Sequence, residues 1–123
     1  MTPFGLALSS YRRRQGLLQK QIALSLGVSL ALVCSWERAL KPPPKGDQLD
    51  RLSDLLSLTS VERGEIAVLA AESAPSVRVR AGTSAEGYRL MHRLAARLPD
   101  MPANQVSALA SVLALNEEVT MSG

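Results

Sequence analysis

Leu17-Leu18-Gln19-Lys20-Gln21-Ile22-Ala23-Leu24-Ser25-Leu26-Gly27-Val28-Ser29, continued by Leu30-Ala31-Leu32-Val33-Cys34-Ser35-Trp36-Glu37, reads as two short helices joined by a sharp turn. Leu18, Ile22 and Leu26 recur at helical spacing and are expected to form an inward stripe on the first helix. Ala23 offers a small side chain where the second helix approaches. Gly27 can take the positive φ of a left-handed helix cap, a conformation that is costly for a residue carrying a Cβ. Val28 is then expected to enter the core, and Ser29 has the side-chain oxygen that caps a following helix. Val33 and Trp36, three apart, supply the inward face of that helix.

This pattern resembles the Cro/phage-repressor (Xre-type) helix-turn-helix DNA-binding domain, whose signature runs roughly Leu-Thr-Gln-x-x-Leu-Ala-x-x-x-Gly-Val-Ser, then an apolar pair and a Glu. Leu17, Gln19, Ile22, Ala23, Gly27, Val28, Ser29, Val33, Trp36 and Glu37 match it without a gap, and the likeness extends from Phe4 to about Ala71. The fold it implies is all-α: a five-helix lambda-repressor-like helix-turn-helix domain, here followed by a C-terminal two-helix hairpin. The resemblance further implies that Arg12, four before Gly16, pairs with Glu37 across the back of the motif as a structural ion pair. It implies that Gln19 hydrogen-bonds the DNA backbone, helped by the N-terminal amides of its helix. The base-reading positions of the family fall on Leu30, Ala31, Cys34 and Ser35. None of these makes the bidentate bonds by which Arg reads guanine or Asn and Gln read adenine. Modest sequence discrimination is therefore expected, leaning on Gln19, Gln21, Ser29 and Ser35 and on the shape and hydration of the duplex.

Charge supports a polyanionic partner. The formal net charge of +3 conceals an asymmetry. Between positions 12 and 45 lie Arg12, Arg13, Arg14, Lys20, Arg38, Lys41 and Lys45 against the single acid Glu37. Between 46 and 75 lie six acids and two bases. A basic face over the two-helix motif is the electrostatic footprint of nucleic acid. Lys20, Arg38, Lys41 and Lys45 are the expected phosphate contacts, with Arg13 and Arg14 as weaker candidates.

Around the motif the chain punctuates itself clearly. Thr2 and Pro3 suit a helix start, Phe4, Leu8 and Tyr11 give that helix an apolar side, and Gly16 ends it. Pro42, Pro43 and Pro44 forbid helix and favour a stiff extended connection, which in the family runs beside the DNA backbone. Leu49, Leu52, Leu55 and Leu56 mark a fourth helix, and the Thr59–Glu62 capping box starts a fifth. The expected organisation is a DNA-binding domain over 1–72, a linker over 73–83, a helical hairpin over 84–118 and a tail over 119–123. Thr83 with Glu86 reads as a second capping box, opening a helix with Tyr88, Met91, Leu94, Ala95 and Leu98 on one side and Arg89, Arg93 and Arg97 on the other. The last helix, expected to end near Asn116, has no charge from Met101 to Leu115 and is therefore expected to be covered, either by the main domain or, the preferred reading, by a second copy. Met91, Leu94, Leu98, Val106, Leu109 and Leu113 are the candidate dimerisation residues, since repressor-type domains bind paired half-sites as two-fold dimers.

Catalysis is not expected: no nucleophile–base pair, phosphate-cradling glycine loop or paired acids can be recognised. No cofactor and no metal are expected either. His92 lacks companions at ligand spacing, and a lone Cys34 is either an inert small side chain or a redox sensor. A single cysteine, no signal-peptide pattern and no long apolar run point to the cytoplasm and away from membranes. The expected function is that of a sequence-specific transcriptional regulator, a dimeric repressor bound to double-stranded DNA. Two alternatives stand beside it. One is the antitoxin of a toxin–antitoxin pair, with a toxin as protein partner; the other is a protein-docking module using the apolar strip from Leu30 to Ser35.

Overall fold

The computed structural model describes residues 2–38 and 40–122, with side chains through residue 115. Its first helix, α1 (Pro3–Arg14), is capped by Thr2, whose hydroxyl accepts the Gly5 amide at 3.1 Å, while Pro3 sits where no donor is needed. Gly16, at φ +66°, turns the chain into α2 (Gln19–Leu26), and Gly27, at φ +68°, stops that helix. A Cβ would strain both positions. Ser29 then accepts the Leu32 amide at 3.1 Å and opens α3 (Leu30–Glu37). Pro42–Pro44 carry neither helix nor strand and lead into α4 (Gly46–Leu55). Thr59 and Glu62 cap each other reciprocally at the start of α5 (Ser60–Glu72), at 3.0 and 3.2 Å.

These five helices bury one core: Phe4, Leu8, Ile22, Ala23, Leu26, Val33, Trp36, Leu52, Leu56, Leu58 and Ile66. Helix α1 packs on α3 and α5, α2 on α3 and α4, and α4 on α5. Gly5 permits the first of these contacts, because a Cβ there would lie 2.7 Å from the Glu37 carbonyl oxygen. Leu18 does not join the inward stripe. It precedes the helix as its N-cap, in extended backbone, and is 63% exposed. Ser73 belongs to this unit as well. Its buried hydroxyl accepts the Phe4 amide at 2.9 Å and donates to the Leu69 carbonyl at 2.6 Å, tying the end of α5 to the start of α1.

A second tie joins α1 to α5. Arg14 makes a two-pronged contact with Glu62, at 2.5 and 3.1 Å, and its guanidinium lies 4.8 Å over the Tyr11 ring. Arg14 and the capping contacts at Thr59 lower the Glu62 carboxyl from 4.5 to about 2. A depressed carboxylate contributes stability that is complete above the unfolded value and lost as pH falls through the folded one. The melting temperature is therefore expected to drop between about pH 4.5 and pH 2, and Arg14→Ala should flatten that part of the curve. Because the pair sits at the surface, with Arg14 exposed and Glu62 partly so, added salt should shrink the difference.

The chain divides into two units after Val77. In the second, α6 (Ala85–Arg97) is capped by Ser84, which accepts the Gly87 amide at 3.0 Å. The expected Thr83–Glu86 box does not form, because Thr83 donates instead to the Arg80 carbonyl at 2.7 Å and closes the preceding turn. A 3₁₀ turn (Leu98–Asp100) leads to α7 (Ala103–Ser122), which outruns the expected end at Asn116 and takes in most of the expected tail. Residues 116–122 contain no Gly or Pro to stop it. No described side chain of this unit is buried, so the uncharged face of α7 is not covered within it. Two helices alone can offer each other only one face, too little to enclose an apolar side. Among the described residues the fold is all-helical, and no helix is long and apolar enough to cross a membrane.

Candidate nucleic-acid interface

Two hydrogen bonds tie neighbouring segments to α3, while Pro42–Pro44 and Lys45 share an open pocket with Ala67, Ala70 and Ala71 of α5. Cys34 Sγ donates to Gln19 Oε1 at 2.8 Å, which sets the start of α2 against the second turn of α3. The Leu40 amide donates to the Ser35 carbonyl at 2.9 Å, which sets the start of the proline segment against the same turn. Lys20 follows Gln19, Arg38 caps the end of α3, and Lys41 and Lys45 flank the prolines. All four cations are exposed, and none pairs with a carboxylate among the described residues. Arg13 is also exposed, whereas Arg14 is held by Glu62 and Tyr11.

The start of α2 presents donors. Gln21 Oε1 accepts the Leu18 amide at 2.7 Å and so closes one of the open groups of the helix terminus. The Gln19 and Lys20 amides find no acceptor among the described residues. They lie at the positive end of the helix dipole, where anions are favoured.

The base-facing positions look different once their polar atoms are followed. Ser29 uses its oxygen on the Leu32 amide, and Ser35 donates its proton to the Ala31 carbonyl at 2.7 Å. Gln21 caps its own helix. Cys34 is half-buried, and its thiol is engaged by Gln19. Leu30, 46% exposed, and Ala31 remain as outward side chains. Neither carries a donor or acceptor; methyl contact with thymine is the readout such residues offer.

Arg12 and Glu37 form an enclosed pair apart from these exposed groups. Arg12 Nε and Nη2 reach the two Glu37 carboxylate oxygens at 2.9 and 3.2 Å, and Nη1 donates to the Leu17 carbonyl at 3.0 Å. Both side chains are largely out of solvent. One guanidinium thus joins α1, the end of α3 and the approach to α2.

No family model, curated protein or solved structure matched the chain.

The candidate dimerisation residues all fall in the second unit. Met91 and Leu94 are half-buried there; Leu98, Val106, Leu109 and Leu113 are exposed. An open, mostly apolar cleft is lined by Met91, Leu94, Met101, Leu109 and Leu113, and Arg93 and Arg97, expected on the other side of α6, border the same cleft. His92 is exposed, and among the described residues no three His, Cys, Asp or Glu side chains gather as metal ligands. Sequence reasoning missed three contacts: Gln19–Cys34, Ser73–Phe4 and Arg14–Glu62. Their partners stand 15, 69 and 48 residues apart, beyond the reach of any local pattern.

Proposed function

We propose that this chain is a sequence-specific DNA-binding transcriptional regulator, a dimeric repressor of the cytoplasm, built on a lambda-repressor-like helix-turn-helix domain. One observation carries the reading. A Gly27-stopped α2 and a Ser29-capped α3 have Val33 and Trp36 inward and Leu30 and Ala31 outward, and the chain from Lys20 to Lys45 carries four exposed cations without carboxylate partners among the described residues. In this reading α3 lies in the major groove while the donors at the start of α2 and Lys20, Arg38, Lys41 and Lys45 take phosphates. Affinity comes mainly from the phosphates, and choice among sequences comes from Leu30, Ala31 and the shape of the duplex. Pairing of two copies through the exposed apolar faces of α6 and α7 would set two domains on half-sites about one helical turn apart. No catalytic step and no cofactor belong to this function.

The test is the double variant Lys41→Ala/Lys45→Ala. It is expected to weaken binding on every duplex alike and to reduce the slope of log affinity against log salt by about 2, roughly 0.9 per phosphate. Unchanged affinity and slope would remove the proline segment from the interface. The apolar outer face of α3 favours a second reading, a protein-docking module. A ligand bound there with no dependence on salt would support that reading instead.

A further inference from the structure

We infer that Cys34 is a positioning residue, whose thiol holds the Gln19 side chain so that the amide turns only its N–H groups toward a phosphate. This rests on the DNA-binding reading above. Gln19 is the first residue of α2, half-buried, and its Oε1 accepts from Cys34 Sγ at 2.8 Å. A glutamine amide carries an acceptor at one end and two donors at the other. With the oxygen occupied by the thiol, the free end is donor-only.

Gln19 opens α2, where the Gln19 and Lys20 backbone amides have no acceptor among the described residues and the next side chain, Lys20, is exposed. The cluster is therefore made entirely of donors and positive charge, the complement of an anionic oxygen. Left unheld, the amide rotates freely, and the orientation with its oxygen outward repels the same phosphate. Holding the side chain in one rotamer also removes an ordering cost from binding. Cys34 is thus set apart from Leu30 and Ala31: it acts on the backbone contact through Gln19 and reads no base.

Because Cys34 is the single cysteine, its alkylation reports on the contact without DNA. Gln19→Ala is expected to speed alkylation of Cys34 several-fold; an unchanged rate would mean that the thiol is not held by Gln19, and would overturn the inference. The second measurement is a binding cycle on duplex DNA with melting temperatures recorded alongside. Cys34→Ala should lower affinity about fivefold on all sequences, the effect of one hydrogen bond. Cys34→Ser, which keeps a donor, should bind within about twofold of the parent. Gln19→Ala/Cys34→Ala should bind no worse than Gln19→Ala alone. Fully additive losses, or Cys34→Ser as weak as Cys34→Ala, would overturn the positioning role while leaving DNA binding standing. Loss of salt-dependent duplex binding from the parent protein itself would instead remove the reading on which the inference rests. Should Cys34→Ala melt early, the alkylation rate and Cys34→Ser still decide the matter.

Discussion

Arg12→Ala is expected to cost about 3–5 kcal/mol of stability, because it leaves the Glu37 carboxylate buried without its counter-charge. The Glu37 side chain is 7% exposed and the Arg12 side chain 14%, so solvent does little to replace the lost partner. Glu37→Ala should be similarly harmful, since it leaves the guanidinium with only the Leu17 carbonyl as acceptor. The pair variant Arg12→Met/Glu37→Leu should recover most of the loss, because desolvation of the two charges and their attraction nearly cancel. Urea unfolding of the four proteins checks this. A single variant that loses less than about 1 kcal/mol would place the pair in the class of exposed ion pairs. Folded Arg12→Ala should still bind duplex DNA with unchanged salt dependence, as neither charge belongs to the proposed phosphate-binding set.

Ending the chain after Val77 is expected to leave a folded monomer whose operator affinity falls about 10²-fold or more, the loss that follows when two linked sites no longer act together. Sedimentation and circular dichroism report the two halves of that expectation. A shortened chain that still dimerises would refute the assignment of the α6–α7 faces to self-association. The position of the cut matters. Ending after Ala71 discards Ser73, and the buried Phe4 amide then loses its acceptor. That chain should be less stable than the Val77 chain by about 1–3 kcal/mol, the cost of an unsatisfied buried donor. Ser73→Ala in the full chain should show a loss of the same size.

The Ser73 case illustrates where the sequence is legible. Thr2, Gly27, Ser29 and the Thr59–Glu62 box act within one helical turn, so their roles can be read from neighbouring letters, and the structure places them in those roles. Competition between adjacent residues is harder to read. Thr83 and Ser84 both suit a helix start, and which one caps is set by backbone angles that composition does not reveal. Leu18 carries the right spacing for an inward stripe but stands one residue outside the helix, in extended backbone, where helical periodicity no longer applies. The charge-free stretch from Met101 to Leu115 shows an apolar surface in need of a neighbour; sequence cannot supply the neighbour.

The sequence by itself determined an all-helical chain, the stops at Gly16 and Gly27, most of the apolar set that closes the first unit, and the separation of basic from acidic stretches. Each depends on residue type and short spacing. Only the tertiary structure decided which polar atoms of the candidate interface remain free. Cys34 and Ser35 look alike as small outward groups on a helix, yet one is drawn to Gln19 on another helix and the other to its own backbone. The physical reason is that a hydrogen bond is chosen by distance in space, and helix packing fixes that distance between residues far apart in the chain.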